Sequence, residues 1–500
     1  MNSAPRTLLR LKRALALGLV ALVAAPGLGS APARSGGLRY RFADVTAEAR
    51  LTGSTRTWGA AWADYDLDGD PDLLVGRHHA TPRLYRNDGG LYSVVQDAGI
   101  QQAVDRHGCA WGEANEDGKP DLFCQVGANH GTGTGPKQLL IQTKTGFDNQ
   151  AGKFGVVDAL ARGRTTNWID YDGDGDLDLF LGNQQRRKHP NQMFRRRGTR
   201  FIEARAGVAD QLTTLSSSWA DWDRDGDPDL LVTQHRLGST VAYENHRGQF
   251  EETKLRGITG KDWSSGAWGD YDGDGWIDLN VVGKWKNAIF RNVGGRFTRV
   301  YHRDIRQGRM SVWLDVDNDT DLDLFVVQGS PGNFPKRGAQ NRADFLVLQR
   351  DTGFDRLRGF SYRGPTDGNG DSVAAADHNR DGRMDLFITN GLFHWAGPNE
   401  LLENRTDGGN WAALDLTGSP ANPFGMGSSV FVQAGSRSFW TYTSDGSNFR
   451  SQSEPGYVHL GLGPATAATA RITWADGTRD CVNFSAGSIV MVNEGAHPCA

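Results

Sequence analysis

Seven short segments of this chain set acidic side chains at alternate positions just ahead of an apolar run. With the first acidic residue as position 1, the pattern is D-x-D-x-D-G-x-x-D. Hard divalent cations suit such a set: Ca²⁺ takes six to eight oxygens at about 2.3–2.6 Å. Side chains at positions 1, 3 and 5 converge on one point if the chain curls, and glycine at 6 permits the sharp turn because it accepts φ > 0. A carbonyl at 7 and a carboxylate at 9 complete the shell. A helix-flanked calcium loop would need a glutamate at position 12. Here a strand-like run begins instead, so the expected ion sits in a β-hairpin loop.

The first loop offers Asp64, Asp66, Asp68, Asp70 and Asp72 around Gly69. The second departs most, with Glu113 and Asn115 at positions 1 and 3, then Asp117 and Asp121. Asp170, Asp172, Asp174, Asp176 and Asp178 form the third; Asp221, Asp223, Asp225, Asp227 and Asp229 form the fourth. The fifth holds Asp270, Asp272, Asp274 and Asp278. In the sixth, Asp315, Asp317, Asp319, Asp321 and Asp323 surround Thr320, which replaces the glycine. Asp377, Asn379, Asp381 and Asp385 make the seventh. Solvated acidic turns are the plainer reading, yet such turns need no common spacing. These loops also hold more than half of the chain's 59 Asp and Glu residues. Carboxylates crowded within a few ångströms cost several kcal/mol without a counter-ion. The expected cofactor is therefore Ca²⁺, about one per repeat and up to seven.

The elements that must position these loops repeat with them. Loops begin about 45 to 62 residues apart, a period that fits one four-stranded propeller blade. Each leads into a run such as Leu-Leu-Val or Leu-Phe-Leu, apolar on both faces. Two residues before position 1 stands Trp62, Trp111, Trp168, Trp219, Trp268 or Trp313, with Ala375 the exception. At a fixed phase, that stripe reads as packing between blades rather than sugar stacking. Between loops lies a strand–Gly turn–strand element, as in LYRNDGGLYSVV. A detached second half, YRFADVTAEARL, spans Tyr40–Leu51, and the last repeat lacks that half. The N-terminal strand is thus expected to complete the final blade and close the ring. The resulting expectation is all-β: a seven-bladed β-propeller over residues 38–408 with a small β-sandwich-like domain over 409–500.

The first 33 residues read as a secretory signal. Arg6, Arg10, Lys12 and Arg13 precede an apolar stretch from Ala14 to Ala25, then Ala31-Pro32-Ala33. That stretch is shorter than the roughly 20 residues of a membrane span, so no stable span is expected after cleavage. An oxidising destination suits the four cysteines, read as two local disulfides, Cys109 with Cys124 and Cys481 with Cys499. The expected location is secreted, extracellular or periplasmic, which argues against a nucleic-acid partner. A formal charge of −4 says little about partners, because acidic and basic residues are segregated along the chain.

These repeats resemble FG-GAP/VCBS propeller repeats, as in integrin α-chain heads, whose calcium sits in such hairpin loops. The tail from about Asn410 resembles an ASPIC/UnbV domain through NWAALDL, NPFGMGSSV, SQS, HLGLG at His459 and WADG at Trp474. Together they resemble the cartilage acidic protein family over nearly the whole mature chain. Departures are the second and sixth loops, and Ala475 where the family usually has Pro. The resemblance implies a seven-bladed propeller with structural calcium and carries no shared reaction.

Blade topology sends the acidic loops to one side and the other connections to the opposite side. That second face would gather Arg77, His78, His79, Arg106, His107, His130, His189, His235, Trp285, His394 and Trp395. Two function classes fit it. One is an extracellular binding or adhesion module for a glycan, matrix component or protein, since clustered positive charge concentrates anions. The other is a secreted enzyme, glycan-directed or acting on a specialised metabolite, with histidines as acid–base groups or metal ligands. No nucleophile elbow, H-E-x-x-H, P-loop or dinucleotide fingerprint is present, so catalytic residues stay unassigned. Oligomeric state is not legible.

Overall fold

The apolar run after each acidic loop becomes the second strand of a four-stranded antiparallel sheet, and the Trp-bearing segment before it becomes the first. A computed structural model describes residues 40–499, apart from 79, 101–105, 128–136, 157–160, 185–188, 210–212, 235–239, 260–261, 330–342, 351–352, 358–369, 392–396, 444–446 and 449. The expected signal segment lies outside the described residues. Seven sheets follow one another, six of four strands and one of six, in which four strands are joined by a two-strand hairpin from the tail. Their first strands are Thr57–Ala63 (the six-stranded sheet), Arg106–Gly112, Gly163–Ile169, Thr214–Ala220, Trp263–Gly269, Gly308–Leu314 and Ser372–Ala376. We number them blades 1 to 7. Each first strand neighbours the next, and that of blade 7 neighbours that of blade 1. This is the layout of a β-propeller.

The last blade is completed from the other end of the chain, as the detached repeat half predicted. Phe42–Asp44 pairs antiparallel with Glu400–Asn404, in the register Phe42↔Asn404. The hairpins between third and fourth strands obey local sterics. Gly89 and Gly90 both have positive φ, 61° and 88°, the backbone of a tight two-residue turn that matches strand twist.

The tryptophan stripe packs between blades and bonds across them. The indole N–H of Trp111 donates to Ala61 O (3.3 Å), Trp168 to Ala110 O (3.1 Å) and Trp313 to Ala267 O (3.1 Å), each in the preceding blade. Trp62, Trp111 and Trp168 are fully buried. Burying about 200 Å² of indole contributes at most about 5 kcal/mol per residue. Both expected disulfides, Cys109–Cys124 and Cys481–Cys499, are formed.

The C-terminal residues build two more sheets. One joins Asn410–Thr417, Tyr457–Gly463 and Ile489–Asn493; the other joins Ser429–Ala434, Arg437–Tyr442, Ala467–Thr473 and Arg479–Ser485. They share one core that includes Leu414, Val432, Leu460, Ile472 and Phe484. These sheets lie against the acidic-loop side of the propeller. Gly409 N–H donates to Asp317 O (2.7 Å), Gly463 N–H to Asn318 O (2.8 Å) and Tyr442 O–H to Gly275 O (3.1 Å).

From this tail a short hairpin, Ser447–Asn448 and Ser451–Gln452, enters the centre of the propeller. It neighbours first strands of blades 1 to 5 and 7. Gln452 pairs with blade 1 beside Ala61, and its amide binds both backbone groups of Trp111 in blade 2, accepting from N–H at 2.7 Å and donating to O at 3.0 Å. Ser451 Oγ donates to Ser372 Oγ (2.8 Å) in blade 7. Arg450 Nη1 reaches both oxygens of Asp371, the residue just before the first strand of that blade, at 2.9 Å. The hairpin thus occupies the centre around which the first strands are arranged.

Removing one partner of a buried ion pair costs about 3–5 kcal/mol, because the other is left uncompensated. Arg450→Met should lower unfolding stability by that order, and adding Asp371→Leu should restore much of it. Chemical denaturation of the three proteins measures this; a mild effect of Arg450→Met would show that the plug does not matter to the fold.

Candidate metal centres and the opposite face

All seven acidic loops fold alike, because the position 1 carboxylate gathers the backbone of its own turn. Asp64 accepts N–H bonds from Asp68 (3.1 Å) and Gly69 (2.8 Å); Asp221 does the same with Asp225 and Gly226, both at 3.1 Å. Glu113 serves equally in the second loop, accepting from Asn115, Glu116 and Gly118. In the sixth, Thr320 takes φ +85°, the left-handed backbone that glycine usually supplies, and donates its N–H to Asp315 (2.9 Å).

Position 9 does more than the sequence suggested. Asp229, fully buried, accepts from Trp222 N–H (3.2 Å) at position 2 and from Asn245 N–H (2.8 Å) on the third strand. Asp72, Asp278 and Asp385 repeat this with Asn87, Asn292 and Asn404. Each of these asparagines then crosses to the preceding blade. Asn245 Nδ2 donates to Tyr171 O (2.8 Å), Asn292 to Trp222 O (2.7 Å), Asn404 to Val316 O (2.9 Å), and Asn87 to His378 O (2.8 Å) across the closure. Sequence reasoning missed these residues, although an Asn recurs at the same phase in YRND, YENH, FRNV and LLEN.

Five loops bring three carboxylate oxygens within 4.8 Å of one another: Asp64, Asp66 and Asp72; Asp170, Asp172 and Asp178; Asp221, Asp223 and Asp225; Asp270, Asp272 and Asp278; Asp315, Asp317 and Asp319. The second and seventh loops, with Asn115 and Asn379 at position 3, form no such group among the described residues. The positive charge nearby sits on arginines at the loop surface, where Arg86 lies 3.9 Å from Asp66 and Arg437 3.1 Å from Asp321. Arg195 bonds Asp172 (2.6 Å) and Asp174 (2.7 Å), and Arg291 bonds Asp272 (2.6 Å) and Asp274 (2.8 Å). Burial, reinforced by neighbouring carboxylates, pushes Asp72 up to about 8, Asp229 and Asp278 up to about 9, and Asp270 up to about 7. Asp178 Oδ2 and Asp317 Oδ1 are buried acceptors with no donor. An all-oxygen set short of positive charge fits a hard divalent cation.

The seventh loop is met by the tail instead. Tyr457 O–H donates to Asp377 (3.1 Å), Arg383 pairs with Asp381, and Arg380 lies over the Tyr457 ring while bonding Glu454 through two nitrogens (2.9 and 2.5 Å).

On the opposite side, each first strand of blades 1 to 6 carries a β-bulge near its start, which re-aims side chains there. The rings of His78 and His107 meet Trp58, at 4.4 and 3.7 Å between centroids, and Arg450 stacks on that same indole at 4.4 Å. Arg106 and His107 are buried rather than displayed, Arg77, His78 and His189 are half-buried, and Trp285 is exposed with Lys284 over its ring. His79, His130, His235, His394 and Trp395 lie outside the described residues.

Replacing Asn292 with Ala removes the donor of two buried bonds, to Trp222 O and Ile277 O. Leaving such acceptors unmet costs about 1–3 kcal/mol. Asn292→Ala should lower stability by that order, read from denaturant midpoints.

Residues 64–124, 170–232, 221–281 and 270–326 match the family model described as an FG-GAP-like repeat, and 418–498 match ASPIC and UnbV. Human cartilage acidic protein 1 is 23% identical over 494 residues, covering 88% of this chain and 72% of that protein. The Xenopus tropicalis protein of the same name is 26% identical over 499 residues, covering 88% and 74%. An overlay on the BP39L lectin from Burkholderia pseudomallei has a TM-score of 0.43 at 11% identity over 69% of this chain and 99% of the lectin, which is too loose to add to the fold.

Proposed function

We propose that this chain, an FG-GAP-repeat protein ending in an ASPIC and UnbV domain, is a secreted binding module whose blades are held by structural Ca²⁺. The observation that carries the reading is the fivefold recurrence of converging, charge-poor carboxylates at one phase of the repeat. Calcium would supply the positive charge that burial denies them. Because positions 1 and 9 also bond the turn and the third strand, a cation there would stabilise the sheet and not only the loop. Asp64, Asp170, Asp221, Asp270 and Asp315, with their partners at positions 3, 5 and 9, would hold it. The second and seventh loops, with fewer carboxylates, are the weakest holders.

Disulfides and calcium loops of modest affinity both suit an oxidising, calcium-rich exterior. Among the described residues no helix is long and apolar enough to cross a membrane. The relatives named for cartilage favour a matrix component as the partner class, with glycans and matrix proteins as its members.

Two measurements test this. Metal analysis of secreted material in about 2 mM calcium, above the usual range for extracellular sites, should find several equivalents of calcium per chain. Chelation should lower Tm by many degrees, and Asp270→Asn with Asp272→Asn should remove about one equivalent and part of that gain. Well-folded protein with no calcium and a melt indifferent to chelator would end the proposal.

A further inference from the structure

A cavity of about 820 Å³ lies between the acidic-loop side of blades 3 to 7 and the C-terminal sheets. That size and interdomain position suit a small-molecule site, for which about 300–1,000 Å³ is usual. It reaches the acidic-loop end of the propeller centre, where Ser311 and Ser453 line it, and lies away from the opposite face.

Its walls have a distinct chemistry. Trp440, half-buried, and Tyr442 project from one tail strand, and Arg224, Arg471 and Arg479 stand exposed around the rim. None of these three guanidiniums has a carboxylate partner among the described residues. Arg471 lies over the rings of Phe431 (5.3 Å) and Trp440 (5.8 Å), and Arg224 lies over Trp276 (5.0 Å). Stacking leaves the edge of a guanidinium available for a planar acid group. Gly275 makes the approach possible: a Cβ there would meet Trp440 Nε1 at 3.1 Å and Arg224 Nη1 at 3.2 Å. Two more polar groups on the wall, the Trp219 indole N–H and the Ser428 hydroxyl, are buried and bond nothing. That indole is the counterpart of those that clip to the preceding blade in blades 2, 3 and 6.

We infer that this cleft binds an acidic saccharide, with a sugar ring on Trp440 and its carboxylate or sulfate on the unpaired arginines. Unpaired arginines select an anion, the flat aromatic beside them selects a ring, and the hydroxyls and indole N–H suit sugar hydroxyls. The inference rests on the calcium reading in one respect. Asp170, Asp221, Asp225, Asp227, Asp270 and Asp315 of the loops, with Glu454, also line the cleft, and cations in those loops would offset part of that negative charge beside the arginines.

The test is isothermal titration of the full secreted chain in calcium with a hyaluronan hexasaccharide, a heparin-derived hexasaccharide and neutral maltohexaose. One or both acidic probes should bind saturably, uronate and sulfate being distinguished by which does, and maltohexaose at least tenfold more weakly. Trp440→Ala and Arg471→Gln should each weaken the acidic probe at least tenfold, while Arg296→Gln, an equal charge loss on an outer strand of blade 5, should not. Arg471 is exposed, so its variant keeps the test valid should Trp440→Ala fold poorly. The inference is overturned if no acidic probe binds, if maltohexaose binds as well, or if Trp285→Ala rather than Trp440→Ala abolishes binding. A chain stabilised by calcium that ignores all three probes sinks only this inference; one indifferent to chelator sinks the parent proposal too.

Discussion

The carboxylate at position 9 of each acidic loop ties three levels of structure together. It is buried and holds the third strand of its own sheet, and in loops 1, 2, 4, 5 and 7 it also holds the second residue of its own loop. In blades 1, 4, 5 and 7 the residue it holds there is the asparagine that crosses to the preceding blade. One group therefore positions a turn, a strand and a neighbour. Such a group cannot be apolar, since it satisfies backbone donors that burial would otherwise leave unmet. Nor is its charge answered by protein, because the nearest arginines reach positions 3 and 5 rather than the interior. The protein accepts an electrostatic deficit at every blade in return for a rigid repeat, and a bound divalent cation is the simplest way to offset it.

The centre of the propeller solves a different problem. Ser, Thr and Asn side chains of the first strands bond one another between blades, as Ser217 does with Thr165 and Asn167, and a tail hairpin bonds blades 7, 1 and 2. Gln452 imitates a strand partner for Trp111, and Arg450 meets Asp371 just before the first strand of blade 7. The ring is consequently secured twice at its seam, by Phe42–Asp44 in blade 7 and by the plug bridging blades 7, 1 and 2. This also explains why histidines and arginines near the opposite mouth are buried: they pack around Trp58, on which the plug's tip rests.

Much was legible before any fold was in hand. The acidic loops, the tryptophans two residues ahead of them, the strand that closes blade 7 and both disulfides all follow from spacing within one repeat or from a missing half repeat. Turn sterics and strand alternation act over a few residues, so a pattern nine residues long states its geometry outright. Even Thr320 kept the loop's shape, because the hydrogen bonds to Asp315 hold a backbone that glycine would adopt freely.

What stayed hidden depends on surfaces meeting across hundreds of residues. Gln452 bonds Trp111 from 341 positions away, and Arg380 meets Glu454 from the far side of a blade. Whether a loop histidine is displayed or buried, whether a channel is open, and whether two aromatic strands face a row of acidic loops are decided by how the tail docks. No local period encodes that docking, because it arises from complementarity between elements far apart in the chain. Residue spacing therefore determined the repeat and its acidic loops, while tertiary packing alone chose which faces remain free to bind.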